Sequence, residues 1–176
     1  MLNTLFLNPP SYNGYDGGAG SRYQCTREVK SFWYPTWLAQ LAALVEGSRL
    51  IDAPARGITI EDILPLAKEY ELLVLYTSTP SFPNDVKIAE AFKYENQNLI
   101  IGFCGAHVAI NPDHCVLASD AIDFVAGNEF DFTIKEIAEG KMLEQIDGLT
   151  YKKNNKPIHN KPRALIDDMD SLPWVT

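Results

Sequence analysis

Five short apolar runs, each separated from the next by a stretch with helical spacing, constrain the fold of this chain more than any other feature. They are Thr4–Asn8 (TLFLN), Arg49–Ala53 (RLIDA), Leu72–Thr77 (LLVLYT), Leu99–Cys104 (LIIGFC) and Ala121–Ala126 (AIDFVA). Short, nearly continuous apolar runs belong to strands covered on both faces. Between them, Pro35–Glu46 gathers Leu38, Leu41, Ala42 and Val45 on one helical face and stops at Gly47. Thr59–Tyr70 is expected as the next helix, with Thr59 as N-cap and Asp62 in capping-box position, and with Pro65 forcing a late start or a kink. A third helix at about Pro83–Tyr94 turns Ile88, Ala89 and Phe92 inward. Asn111-Pro112-Asp113 opens a short helix ending near Ala118, and Phe130–Glu139 is stopped by Gly140. This alternation specifies an α/β fold, doubly wound and flavodoxin-like or Rossmann-like: a five-stranded parallel sheet in order 2-1-3-4-5 with helices on both faces.

Right-handed crossovers carry the loops after strands one, three, four and five to one edge of such a sheet. Ligands of open α/β sheets bind at that carboxyl edge. Strand four ends in Cys104-Gly105-Ala106-His107, whose small residues let a ligand approach the backbone. After strand one comes PPSYNGYDGGAGSRYQ, a long loop rich in glycine and tyrosine, of a length that tends to be functional. The candidate cofactor-binding residues are therefore Ser11, Tyr12, Gly17 and Gly18; Thr77, Ser78 and Thr79; Gly105, Ala106 and His107; and Gly127, Asn128 and Glu129.

The remainder differs in character. Residues 1–148 form the α/β domain. Residues 149–166 are polar and basic, with a turn at Asn154-Asn155, and are expected as a hairpin appended to it. Lys152, Lys153, Lys156, Lys161 and Arg163 there suit a solvated face. Residues 167–176, acidic and then apolar around Pro173, are expected as a linker.

Net charge is −8, which argues against a general nucleic-acid binder. No run reaches the ~20 apolar residues of a spanning helix, and MLNTLFLNPP lacks the basic start of a signal peptide. A cytoplasmic protein with reduced thiols is expected, since Cys25, Cys104 and Cys115 show no paired spacing. Cys104, His107, His114 and Cys115 are zinc-ligand types, but C-x2-H-x6-H-C matches no common finger or ribbon, so no metal site is assigned. Cys104 with His107 lacks an identifiable third group for nucleophilic catalysis. The glycines at 17, 18 and 20 come too late after strand one for a dinucleotide fingerprint, and no G-K-[ST] of a P-loop occurs. Ser11, Tyr12, Thr77, Ser78 and Thr79 keep a flavodoxin-like FMN site, or a non-catalytic interaction module, as alternatives.

Taken in order, Asn8-Pro9-Pro10, Ser78-Thr79-Pro80-Ser81, Cys104-Gly105-Ala106-His107 and Gly127-Asn128-Glu129 resemble the N-terminal cobalamin (B12)-binding domain of B12-dependent radical SAM enzymes. Asp167-Asp168-Met169-Asp170-Ser171-Leu172-Pro173 resembles the linker into the radical SAM barrel of that class. More narrowly, residues 9–24 with SFWYPTWLAQ resemble the hopanoid-biosynthesis-associated radical SAM proteins. The resemblance implies cobalamin as cofactor, a small-molecule or lipid substrate, and methyl transfer or carbon-skeleton rearrangement in hopanoid synthesis. Two departures qualify it. The D-x-H-x-x-G of classical cobalamin domains is missing after strand one, so base-off binding without a histidine ligand is implied. The cluster motif C-x-x-x-C-x-x-C is also absent. S-adenosylmethionine and the 4Fe–4S cluster would then belong to a radical SAM domain of the same parent chain, and no catalytic residue is assigned to this piece. A slot for the nucleotide tail is expected between Ser78-Thr79 and Gly105-Ala106, with His107 lining it by hydrogen bonding.

Overall fold

A computed structural model describes residues 1–10 and 34–175. Five parallel strands form as expected: β1 (Thr4–Asn8), β2 (Arg49–Asp52), β3 (Leu72–Tyr76), β4 (Ile100–Cys104) and β5 (Phe124–Ala126). Their spatial order is β2-β1-β3-β4-β5. Alternate residues face opposite sides, and both sides are covered. Leu5, Leu7, Leu73, Leu75, Ile101, Phe103 and Val125 pack in one apolar cluster. Against them lie α2 (Ala53–Arg56), α3 (Ile60–Ile63), α4 (Phe82–Glu95), α5 (Ala106–Ile110) and α6 (Pro112–Leu117). Phe6, Leu72, Val74, Cys104, Phe124 and Ala126 form the other cluster, with residues of α1 (Thr36–Leu44) and α7 (Phe130–Ala138). Each fully buried Leu, Ile or Phe contributes about 1.5–3 kcal/mol relative to exposure, which is why these strands are written in apolar residues throughout.

One glycine inside the core is dictated by packing. Gly102 pairs with Phe124 across β4 and β5. A Cβ there would lie 2.1 Å from Cζ of Phe124, so the ring occupies the space a side chain would need.

The sheet corrects the expected strand count. Among the described residues it has seven strands, because β6 (Leu149–Lys153) and β7 (Lys156–His159) continue it beyond β5. β6 runs antiparallel to β5, with Ala126 opposite Leu149 and Phe124 opposite Tyr151. The hairpin is thus part of a mixed sheet and not an appendage to a parallel one. Its first three residues are buried; the lysines that make the segment look solvated begin only at its outer end. The turn falls where the sequence places it, with Asn154 and Asn155 at φ 52° and 60°, as a two-residue hairpin requires.

The second helix is also corrected. In place of Thr59–Tyr70 there are α3 and a 3-10 turn at Leu64–Lys68, with the short α2 ahead of them. Pro65 has no N–H for a continuing α-helical bond, so it sits in the first turn of the 3-10 segment. The capping contact survives: Thr59 N–H donates to Oδ2 of Asp62 at 2.8 Å. Among the described residues, no helix is long and apolar enough to cross a membrane.

Candidate functional site

Parallel pairing of β1, β3, β4 and β5 brings their carboxyl ends to one edge. The order reverses between β1 and β3, since β2 lies beyond β1 and β4 beyond β3. That switch point is where the loops on either side diverge and leave a crevice. Asn8 ends β1 there, and its Nδ2 donates to Oδ1 of Asp52 at 2.6 Å. Burial raises the Asp52 carboxyl above its ordinary range, against the lowering pull of that bond. On the other side, Nδ2 of Asn84 donates to the carbonyl of Pro10 at 3.3 Å, tying α4 to the residues that end β1. Ser11, Tyr12, Gly17 and Gly18 lie outside the described residues.

The hydroxyl run after β3 divides its labour. Thr77 is fully buried. Its N–H donates to the carbonyl of Cys104 at 2.9 Å, and its hydroxyl donates to Oδ2 of Asp85 at 2.7 Å. Asp85 is itself fully buried on α4 and also accepts from Nδ2 of Asn84 at 3.2 Å. Burial pushes its carboxyl up to about 7, outweighing the hydrogen bonds from Thr77, Ser81 and Asn84. Ser78 N–H donates to Oγ of Ser81 at 3.0 Å, which fixes the turn into α4. Thr77 is therefore a structural hydroxyl, while half-buried Ser78 and exposed Thr79 present the edge.

The loop after β4 lies directly on this one. Gly105 has φ +117°, and a Cβ would fall 2.6 Å from the carbonyl oxygen of Thr77. Only glycine fits, whatever binds nearby. Farther out, Oγ1 of Thr79 and Nδ1 of His107 are 3.1 Å apart. The two loops meet at these points, where a slot between Ser78-Thr79 and Gly105-Ala106 was expected. Ala106 is exposed and His107 half-buried. Burial lowers the His107 pKa, with a smaller contribution from His114.

After β5, Gly127 approaches α5 so closely that a Cβ would lie 2.9 Å from Cα of Ala109. Asn128 takes φ 53°, a left-handed conformation asparagine tolerates. A cavity of about 190 Å³ opens between α5 and the hairpin, lined among others by Val108, Ala109, Gly127, Asn128 and Thr150. Glu129 is half-buried ahead of α7. It raises the Asp131 carboxyl by like charge, second to the effect of burial.

Two groups escape a linear reading. Tyr76 ends β3 facing α1 and α7. Its ring stacks on Trp37 at 5.2 Å and meets Phe130 edge-on at 6.2 Å, giving the edge an aromatic cluster. The signal was its parity with Leu72 and Val74. The other group is the set of zinc-type residues, which the structure divides. Cys104 is buried in the α1/α7 cluster, whereas His107 packs on Phe82 of the opposite face with ring centroids 4.9 Å apart. Cys104 and His107 thus form no catalytic pair, and burial raises the Cys104 thiol well above its ordinary range. His107, His114 and Cys115 do converge.

No family model matches the chain. It is 32% identical over 148 residues to an uncharacterised methyltransferase of Pyrococcus horikoshii, a match covering 79% of this chain and 32% of that protein. The chain thus spans about a third of the length of the curated relative it matches. Among solved structures it resembles TsrM of Kitasatospora setae, a radical S-adenosylmethionine methyltransferase. The form bound to tryptophan and a SAM analogue matches with TM-score 0.66 and 14% identity, covering 92% of this chain and 30% of that one. The form with cobalamin and a 4Fe–4S cluster matches with TM-score 0.65 and 14% identity, covering 97% and 30%. At that identity the likeness is one of fold.

Proposed function

We propose that this chain is the cobalamin-binding domain of a B12-dependent radical SAM methyltransferase. The observation that carries the reading is the edge itself. A 2-1-3-4-5 sheet gathers three loops of hydroxyl, amide and small residues at its carboxyl edge, beside Pro9 and Pro10 at the end of β1. Two resemblances support it: a methyltransferase relative over most of the chain, and the fold of a cobalamin-binding enzyme over 97% of it.

The residues present fit the group. Cobalamin carries a rim of neutral amides, a phosphate and a ribose, and needs both donors and acceptors. Ser78, Thr79 and Asn128 offer both and Glu129 accepts, while Ala106 and Gly127 leave the backbone accessible. Ser11, Tyr12, Gly17 and Gly18 would complete the holding residues from the loop after β1. His107, its Nδ1 already meeting Thr79, would stand beside the pocket without ligating cobalt, leaving the cofactor base-off. When bound, cobalamin supplies a methyl carrier. The chain's part is to hold and orient it.

Cysteines at 25, 104 and 115 cannot make C-x-x-x-C-x-x-C. In this reading the cluster and S-adenosylmethionine sit on another domain, toward which residues 167–176 run as a linker from the α/β domain and its hairpin. Methyl transfer is favoured over carbon-skeleton rearrangement by the names of both relatives. A hopanoid substrate rests on the resemblance of residues 9–24 and 31–40 alone.

The test is retention of hydroxocobalamin after desalting, with FMN offered in parallel. Near-stoichiometric cobalamin with a base-off spectrum is expected, and His107→Ala should leave that spectrum base-off. Ala106→Trp places an indole at an exposed position. It should lower retention at least about tenfold, by obstructing the pocket mouth, without changing the melting temperature. Retention of FMN in place of cobalamin, or of neither, overturns the proposal.

A further inference from the structure

We propose that His107, His114 and Cys115 form a binding site for one divalent transition metal of the zinc class, at the side of the candidate edge. One potential ligand atom from each residue lies within 4.8 Å of the others. In a tetrahedral zinc site such atoms stand about 3.3–3.6 Å apart, so side-chain movements on the order of 1 Å close the set. Two imidazoles and a thiolate suit zinc, cobalt(II) or nickel better than a hard cation, and they leave a fourth position for water.

The fold explains why residues so spaced converge. A continuous helix would carry His107 and His114 along one rod. The chain instead breaks at Asn111-Pro112 into α5 and α6. The break is pinned on both sides, since Asn111 N–H donates to the carbonyl of His107 at 3.1 Å and Cys115 N–H to that of Asn111 at 3.0 Å. The start of α5 is thereby brought back beside α6. Phe82 forms an apolar wall for both rings, at centroid distances of 4.9 Å to His107 and 5.9 Å to His114.

A supporting contact is already in place. With Thr79 accepting from Nδ1–H of His107, the Nε2 lone pair is the one left for a metal, which is how outer hydrogen bonds usually orient a ligating histidine. His114 is exposed, so the ion enters over it, and the buried Cys115 sulfur forms the floor. On binding, the Cys115 S–H bond is replaced by a sulfur–metal bond and one proton leaves to solvent, with no change of oxidation state.

The experiment uses the 176-residue chain, stripped with chelator and free of cobalamin, so it is independent of the proposed function. Cobalt(II) is titrated in and then displaced with zinc. One ion per chain is expected, with a near-ultraviolet thiolate-to-cobalt charge-transfer band and visible d–d bands of tetrahedral intensity. Cys115→Ser should abolish the charge-transfer band, whereas Cys25→Ser and Cys104→Ser should keep it. Because Cys115 is buried, His114→Ala provides an exposed second probe and should weaken cobalt binding at least about tenfold, with Thr79→Val weakening it by a similar factor through His107. An octahedral spectrum without a charge-transfer band, a band lost in Cys25→Ser, or unchanged affinity in His114→Ala would overturn the site.

Discussion

Asp85 is a carboxyl with no exposed surface, and replacing it with asparagine should change how stability depends on pH. Its pKa is pushed from the ordinary 3.8 up to about 7, chiefly by burial. In the unfolded chain the proton leaves near 3.8, while in the folded chain it stays on until about 7. Across that window the folded state binds more protons, so stability falls as pH rises through it and then levels off. Over the two pH units from 5 to 7, the loss through this group is about 2–3 kcal/mol. Asp85→Asn removes the titration but keeps a similar shape. Its amide oxygen can accept from Thr77 or Asn84 in place of the two carboxyl oxygens that do so now. Urea unfolding of both proteins between pH 5 and 8 is the assay. The difference between the two curves isolates the residue, because Asp52 and Asp131, also raised by burial, titrate alike in each. Relative to the parent, the asparagine variant should gain about 2–3 kcal/mol on going from pH 5 to 7. Parallel curves would show that Asp85 is not held protonated by its surroundings.

Gly102→Ala should destabilise by about 1–3 kcal/mol, since the new methyl meets the fully buried Phe124 ring, and Phe124→Leu in the same chain should recover part of the loss; chemical denaturation of the three variants is the check, and an additive double variant would refute it. Arg163→Met should cost about 1.5–3 kcal/mol, because Nη2 donates to Oε2 of Glu136 at 2.6 Å and Nε to Oγ1 of Thr133 on α7 at 2.7 Å. Arg163→Lys should recover little of it, lacking the planar fork, and full recovery of the melting temperature would refute that geometry.

The parallel core was legible because strands buried on both faces can hold little but apolar residues. β6 was not. In Leu149–Lys153 only Leu149 and Tyr151 enter a core cluster, and the lysines that follow them dominate the composition. The alternation was there, but three residues of it were outweighed by basic ones. Arg163, read as part of a solvated face, proves to be a tie between the end of the hairpin and α7. The site divides in the same way. Which loops reach the edge follows from βα alternation, and that was readable. Whether a hydroxyl in such a loop faces outward depends on packing. Thr77 is turned inward by the carboxyl of Asp85 eight residues on, a residue of a type that is almost never fully buried. Likewise, spacing grouped Cys104 with the three zinc-type residues after it. Strand parity separates it from them, since Cys104 shares the face of Ile100 and Phe124.

Gly105 shows how one residue can carry two explanations that only structure separates. A glycine at the end of a buried strand is a reasonable sign of ligand approach. Here the carbonyl of Thr77 would lie 2.6 Å from its Cβ, and φ is +117°, so the glycine is required by the protein itself. The same contact has a consequence for binding. Thr77 N–H bonded to Cys104, Gly105 packed on Thr77 and Thr79 beside His107 join the loops after β3 and β4 into one wall. A ligand at this edge meets a surface that is ordered before it arrives and so loses less affinity to ordering that surface. For the same reason a bulky residue at 105 cannot report on a ligand pocket, because it would break the wall as well as fill the space. The informative substitution is on the wall's exposed side, at Ala106, where a change in binding without a change in stability separates the ligand's contacts from the fold's own.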